Sequence, residues 1–107
     1  MRLSRAALLS AAAVLPATLA LAGGVASVSQ KGRAFLVREM QIARGDTVHI
    51  TNDDDFVHQV YVNSPSLNYE SAEQEPGQTV DIRFPGAGTF EVRCHIHPKM
   101  LLRVDVR

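Results

Sequence analysis

The sequence predicts an all-β domain, a sandwich or a barrel, from three observations. Short runs that alternate apolar and polar residues recur from Thr47 to the C-terminus. Turns rich in Gly and Pro separate them, and no stretch beyond the first 26 residues carries a helical period. Taken in order, Ser27 to Gly32 reads as a polar linker, and Ala34 to Ile42 as an apolar but irregular strand with a bend. Ala43-Arg44-Gly45-Asp46 is a turn. Thr47 to Asn52 puts Val48 and Ile50 on one face and Thr47, His49 and Thr51 on the other. Asn52 to Asp55 is an acidic loop, expected to be solvated. His58 to Val62 places His58, Val60 and Val62 together. Asn63 to Gly77, with Pro65 and Pro76, is expected to be mainly loop. Val80, Ile82 and Phe84 share a face, as do Phe90, Val92 and Cys94 and, in the last run, Leu102, Val104 and Val106.

The first 26 residues have a different character. A basic head with Arg2 and Arg5 precedes an apolar run from Ala6 to Ala22. Small-x-small sites follow at Ala20-Leu21-Ala22 and Gly24-Val25-Ala26. That order is the pattern of a secretory signal peptide, residues 1–26, cleaved after Ala22 or Ala26. The run is close to the minimum of roughly 17 residues for a membrane span and is built on Ala, so cleavage is favoured over a permanent anchor. Residues 27–33 are then a linker and residues 34–107 the folded domain. Arg2 and Arg5 are not adjacent, which excludes a twin-arginine signal.

The full chain of 107 residues carries 11 basic and 11 acidic side chains. Loss of Arg2 and Arg5 leaves nine basic against 11 acidic, a slightly acidic domain with no basic stripe or interleaved aromatics for nucleic acid. A domain of this size is marginal without a staple. Cys94 is the single cysteine, so no disulfide can form within the chain. An exported lone cysteine is buried, paired with another chain, or used, and its neighbours point to use as a ligand.

The segment Cys94-His95-Ile96-His97-Pro98-Lys99-Met100 offers a thiolate, an imidazole three residues later, and a thioether three further. Soft sulfur suits Cu(I), imidazole suits both copper states, and two His with one Cys and a weak axial Met form a blue-copper set. Cys94 ends a strand whose other inward residues are Phe90 and Val92, so its sulfur points into the apolar end of the domain. Pro98 stiffens the loop that returns His97 and Met100 to the same point. His58 is the best source of the second imidazole, because strand parity places it with Val60 and Val62. His95 and His49 alternate outward. Asp53-Asp54-Asp55 lacks the spaced oxygen ligands and later Glu of a calcium loop.

On these residues the chain resembles the plastocyanin, pseudoazurin and amicyanin group of cupredoxins, most closely the amicyanin-like branch that includes proteins of methylamine utilisation. The resemblance runs from about Phe35 to the C-terminus. It is carried by Gly45-Asp46-Thr47-Val48, Asn52 through His58, Pro76-Gly77-Gln78, Pro85-Gly86-Ala87-Gly88-Thr89-Phe90, and Cys94, His97 and Met100, with Pro98 following His97. The resemblance implies a Greek-key β-sandwich holding one type 1 copper ion on His58, Cys94, His97 and Met100. It also implies a periplasmic, monomeric carrier of single electrons, with His97 the electron exit. The partners would be a donor and an acceptor of dehydrogenase or cytochrome c type. Three departures stand out: Gln59 where relatives have Asn, His95 where they have Ser or Thr, and Leu101-Leu102 where Gly is common. Lys99 with Leu101 and Leu102 is a possible docking patch.

Two other classes of function are weaker. A copper-handling carrier or chaperone favours exposed Met-rich or two-Cys sites, and only Met40 and Met100 remain after the leader. A copper oxidase needs more than four histidines and a two-copper electron-transfer centre needs two bridging cysteines, so an enzyme is not expected.

Overall fold

The computed structural model describes residues 23–107; the expected leader lies, up to Ala22, outside the described residues. Among the described residues, eight strands make two sheets: β1 (Val25–Gln30), β2 (Glu39–Ile42), β3 (Thr47–Asn52), β4 (Val60–Ser64), β5 (Leu67–Glu70), β6 (Thr79–Arg83), β7 (Gly88–Cys94) and β8 (Leu101–Val106). The smaller sheet has the order β1-β3-β6 and the larger β2-β8-β7-β4-β5. The all-β sandwich expected from the alternation is the observed architecture.

The alternating residues do what their parity demands. Val48, Ile50, Ile82 and Phe84 from one sheet and Val60, Val62, Val92, Leu102 and Val104 from the other are buried in a single core. Phe84 and Phe90 meet across it with ring centroids 5.4 Å apart. At about 25 cal/mol per Å² of apolar surface removed from water, this interdigitated layer is the main stabilising contribution.

Three expectations need correction. The linker predicted for 27–33 is, through Gln30, part of β1, which pairs in parallel with β3 from Val25↔Thr47 to Gln30↔Asn52. Its sequence hides this, because its two buried positions are Val28 and a polar Gln30. Gln30 is accommodated by donating from its amide to Oε1 of the equally buried Gln74 at 2.8 Å. The loop predicted for Asn63 to Gly77 contains β5, which closes a hairpin with β4 from Tyr61↔Glu70 to Ser64↔Leu67. β5 is an edge strand packed on one side only, so its alternation is shallow. Ala34 to Ile42 is strand only in β2, which pairs in parallel with β8, while Phe35 makes an isolated bridge to Gln30.

Candidate metal centre

Two distant segments converge at one end of the sandwich. Val60 is paired with Cys94 in the β4–β7 ladder, so the residues just before β4 and just after β7 lie side by side. His58, two residues before Val60, is held by a two-way backbone bridge to Gln74, 3.0 Å from its N–H and 2.7 Å to its carbonyl. From Cys94 the chain loops to β8, and the Met100 N–H donates to the His97 carbonyl at 3.0 Å, closing a tight turn around Pro98.

This brings His58 Nδ1, His97 Nδ1 and Cys94 Sγ into a triangle. The separations are 3.2 Å between the two nitrogens, 3.6 Å from sulfur to His58 and 3.9 Å from sulfur to His97. Metal–nitrogen bonds of about 2.0–2.1 Å and metal–sulfur bonds of about 2.3 Å, spread at 120°, put the donor atoms roughly 3.5–3.8 Å apart. The triangle therefore has the size that one trigonal ion requires. His58 and Cys94 are buried and His97 is half-buried, so one edge of the centre reaches solvent. Met100 is buried on the same loop.

The protonation pattern also favours a cation. His58 Nε2 lies 2.9 Å from Asp54 Oδ2. Burial would raise the Asp54 acid, but the Arg33 N–H, the His58 side chain and the Gly32 N–H outweigh it and hold its pKa at about 2. An ionised carboxylate can only accept, so His58 Nε2 is the protonated nitrogen and Nδ1 turns a bare lone pair toward the triangle. Burial comes first in holding His97 below the ordinary imidazole value; a second proton on His58 and the charge of Arg33 push the same way, and Asp54 opposes them. Converging lone pairs 3.2 Å apart in a partly dry site repel unless a proton or a metal ion lies between them. The backbone N–H of Gln59 points at Cys94 Sγ at 3.4 Å, a contact that stabilises thiolate charge.

Of the four predicted ligands, the structure gathers three donor atoms into the triangle, and it buries Met100, which ends the same loop. Asp54 is the residue that sequence reasoning missed. The acidic loop expected to be solvated turns its middle carboxylate inward, 7% exposed, while Asp53 and Asp55 remain outside. The cause is Gly32-Arg33, both left-handed at φ 67° and 57°, whose N–H groups donate to Asp54 Oδ1 and Oδ2 at 2.8 Å each. Gln59 sends its amide to the Ser71 carbonyl at 3.0 Å, while its own carbonyl accepts from His95 N–H at 2.9 Å. His95 faces outward as its parity required, stacked on Tyr61 with ring centroids 3.9 Å apart and paired with Glu70 at 3.0 Å. The Leu101-Leu102 docking patch does not exist as expected, because Leu102 is fully buried in the core. The exposed apolar residues near His97 are instead Ile96, 40% exposed, and Phe56, which meets the His97 ring edge-on at 6.3 Å.

No family model matches the chain, and no curated protein matches it. Solved structures do. An amicyanin mutant in its reduced state superposes with a TM-score of 0.73 at 25% identity, covering 78% of this chain and 83% of that one. A second amicyanin mutant, in its Cu(I) form, gives 0.73 at 26% identity over 85% of this chain and 90% of that one. The fold is the cupredoxin fold. A purple cupredoxin from Nitrosopumilus maritimus shares it with a TM-score of 0.69 at 20% identity, over 77% of this chain and 99% of that one. Within the cupredoxin sandwich, the His58–Cys94–His97 triangle occupies one place and fits a single type 1 copper site, the cofactor expected from the sequence. The expectation of a non-enzymatic copper protein of electron transfer agrees with these cupredoxin neighbours.

Proposed function

We propose that this protein is a periplasmic carrier of single electrons, its copper held by His58, Cys94 and His97 with Met100 as the axial ligand. The observation that carries the reading is the N,N,S triangle sized for one trigonal ion, with one ring at the surface and the other two donors buried. Bound copper would supply the Cu(I)/Cu(II) couple. The chain's own residues do the rest. Asp54 and the Gln74 bridge fix His58, the Gln59 N–H supports the Cys94 sulfur, and the β7–β8 strands keep water from the buried side. Ligands already in place need little rearrangement when one electron arrives or leaves. His97, half-buried at the rim, is the route by which that electron crosses to a redox protein of dehydrogenase or cytochrome c type.

Export follows from the leader, and β1 favours cleavage after Ala22. Gly24 receives the Thr47 N–H on its carbonyl at 2.9 Å, and its own N–H donates to Asp46 at 2.7 Å. Cleavage after Ala26 would delete these bonds and the paired residues Val25 and Ala26. The test of function is the visible spectrum after Cu(II) addition, on the wild type and on Cys94→Ser. The expected result is an intense thiolate band, bleached by ascorbate, restored by oxidant and absent in the variant. Weak absorption indifferent to Cys94 would instead favour a copper-handling role.

A further inference from the structure

We infer that the flank of the metal centre beside Met100 is a docking surface for an acidic redox protein. The inference rests on the electron-carrier reading. A groove of about 360 Å³ opens there, between the segment that connects β1 to β2 and the ligand loop. Its lining includes Arg33, Arg38, Lys99 and Arg103 together with Met100, and Glu39 is its single carboxylate. Glu39 is engaged by Arg103 at 3.7 Å. Arg33, Arg38 and Lys99 make no ion pair among the described residues, and Arg33 is fixed over the Phe56 ring at 4.0 Å.

This cluster runs against the charge of the molecule. Without Arg2 and Arg5 the domain has nine basic and 11 acidic side chains, yet four of the nine basic ones line this groove. A local field of opposite sign to the net charge steers a ligand to one orientation, and here the orientation brings it beside the metal centre. The margins of the groove offer what a docked protein buries, and Arg33 and Lys99 also line a neighbouring hollow with Ile96 and His97. Leu36 and Val37, between Arg33 and Arg38, are 60% and 42% exposed, and Ile96 projects from the ligand loop. Apolar residues with Arg at their margin, and no free carboxylate, fit a partner that presents Asp and Glu around a small apolar centre. Arg33 serves twice: its backbone N–H holds Asp54, which holds His58, while its side chain faces the groove.

The test uses copper-loaded, ascorbate-reduced protein and hexacyanoferrate(III) in stopped flow; one electron leaves Cu(I) and reduces Fe(III) to Fe(II). Although the domain is net negative, oxidation by this anion is expected to slow as ionic strength rises from about 10 mM to about 0.5 M. At low salt Arg38→Glu should slow it by about threefold or more, and Arg83→Glu, on the other sheet, should not. Poly-glutamate, standing in for the acidic partner, should inhibit the wild type and spare Arg38→Glu. A rate that rises with salt, equal rates in the two variants, or no inhibition by poly-glutamate would overturn the docking surface while leaving the carrier intact. A copper centre that does not oxidise reversibly would remove the carrier reading and this inference with it.

Discussion

The two halves of the metal centre are built differently. His58 is fully buried, bridged to Gln74 through both backbone groups and tied by Nε2 to a charged Asp54, itself bound by two N–H groups from the β1–β2 connection. The loop from Cys94 to Met100 is held by the strands at its ends and by the short Met100–His97 turn, and its His97 lies at the rim. One half is an anchor fixed by contacts far apart in sequence; the other is a local loop whose tip faces solvent. A redox site gains from both, because the anchor fixes geometry while the loop brings one ligand to the edge where a partner can reach it.

The largest effect should come from the loop side. Cys94→Ser removes the thiolate, and the intense visible band should disappear while the sandwich stays folded, checked by circular dichroism. Next come the two histidines. His97→Gly leaves a gap at the surface, and added imidazole should restore much of the visible band. His58→Gly leaves a gap in the interior beside Asp54, which loses its imidazole partner, and added imidazole should restore little. Equal rescue of both would erase the difference between anchor and loop.

A smaller effect isolates Asp54. Asp54→Asn keeps the shape and replaces a charged acceptor with a neutral one. It should destabilise the copper-free protein by about 1–3 kcal/mol in urea titrations. It should also raise the reduction potential, because the lost negative charge favoured Cu(II). About 1 kcal/mol of differential stabilisation corresponds to about 40 mV for one electron. An unchanged potential would make Asp54 purely structural.

The smallest effect lies far from the centre. Asp46 accepts from the N–H groups of Ala43 and Gly24, and these bonds hold its acid below the ordinary value of 3.8. Its contribution is therefore fully present above about pH 3.8 and is lost as pH falls through the lower folded value. Asp46→Asn should cost stability at neutral pH, and the gap to the wild type should close in acid, as seen in thermal melts across that range.

The legible parts of this protein were those where one residue type per position carries the message. Strict alternation exposed β3, β6, β7 and β8, and the Cys94, His97 and Met100 spacing with the parity of His58 named the candidate ligands. β1 was hidden because a buried Gln30 is intelligible only with its partner Gln74, 44 positions away. β5 was hidden because an edge strand buries one face shallowly. Asp54 was hidden for a related reason. Three aspartates in a row look solvated, and what turns the middle one inward is a pair of N–H groups more than 20 positions earlier. Three of the candidate ligands, Cys94, His97 and Met100, are local in sequence; His58 and the support beneath it are not.

The pairing of β2 with β8 sets an order of events during biogenesis. Among the described residues, Glu39 through Ile42 find their ladder on Arg103 through Val106, the last of the strands. Before β8 is in place, β2 has no template, and the segment that carries Arg33 and cradles Asp54 lacks the ladder that holds its far end. Completion of the metal site therefore waits for β8: every candidate ligand can be present in the chain, yet the scaffold closes around them only once Arg103 through Val106 have paired with β2.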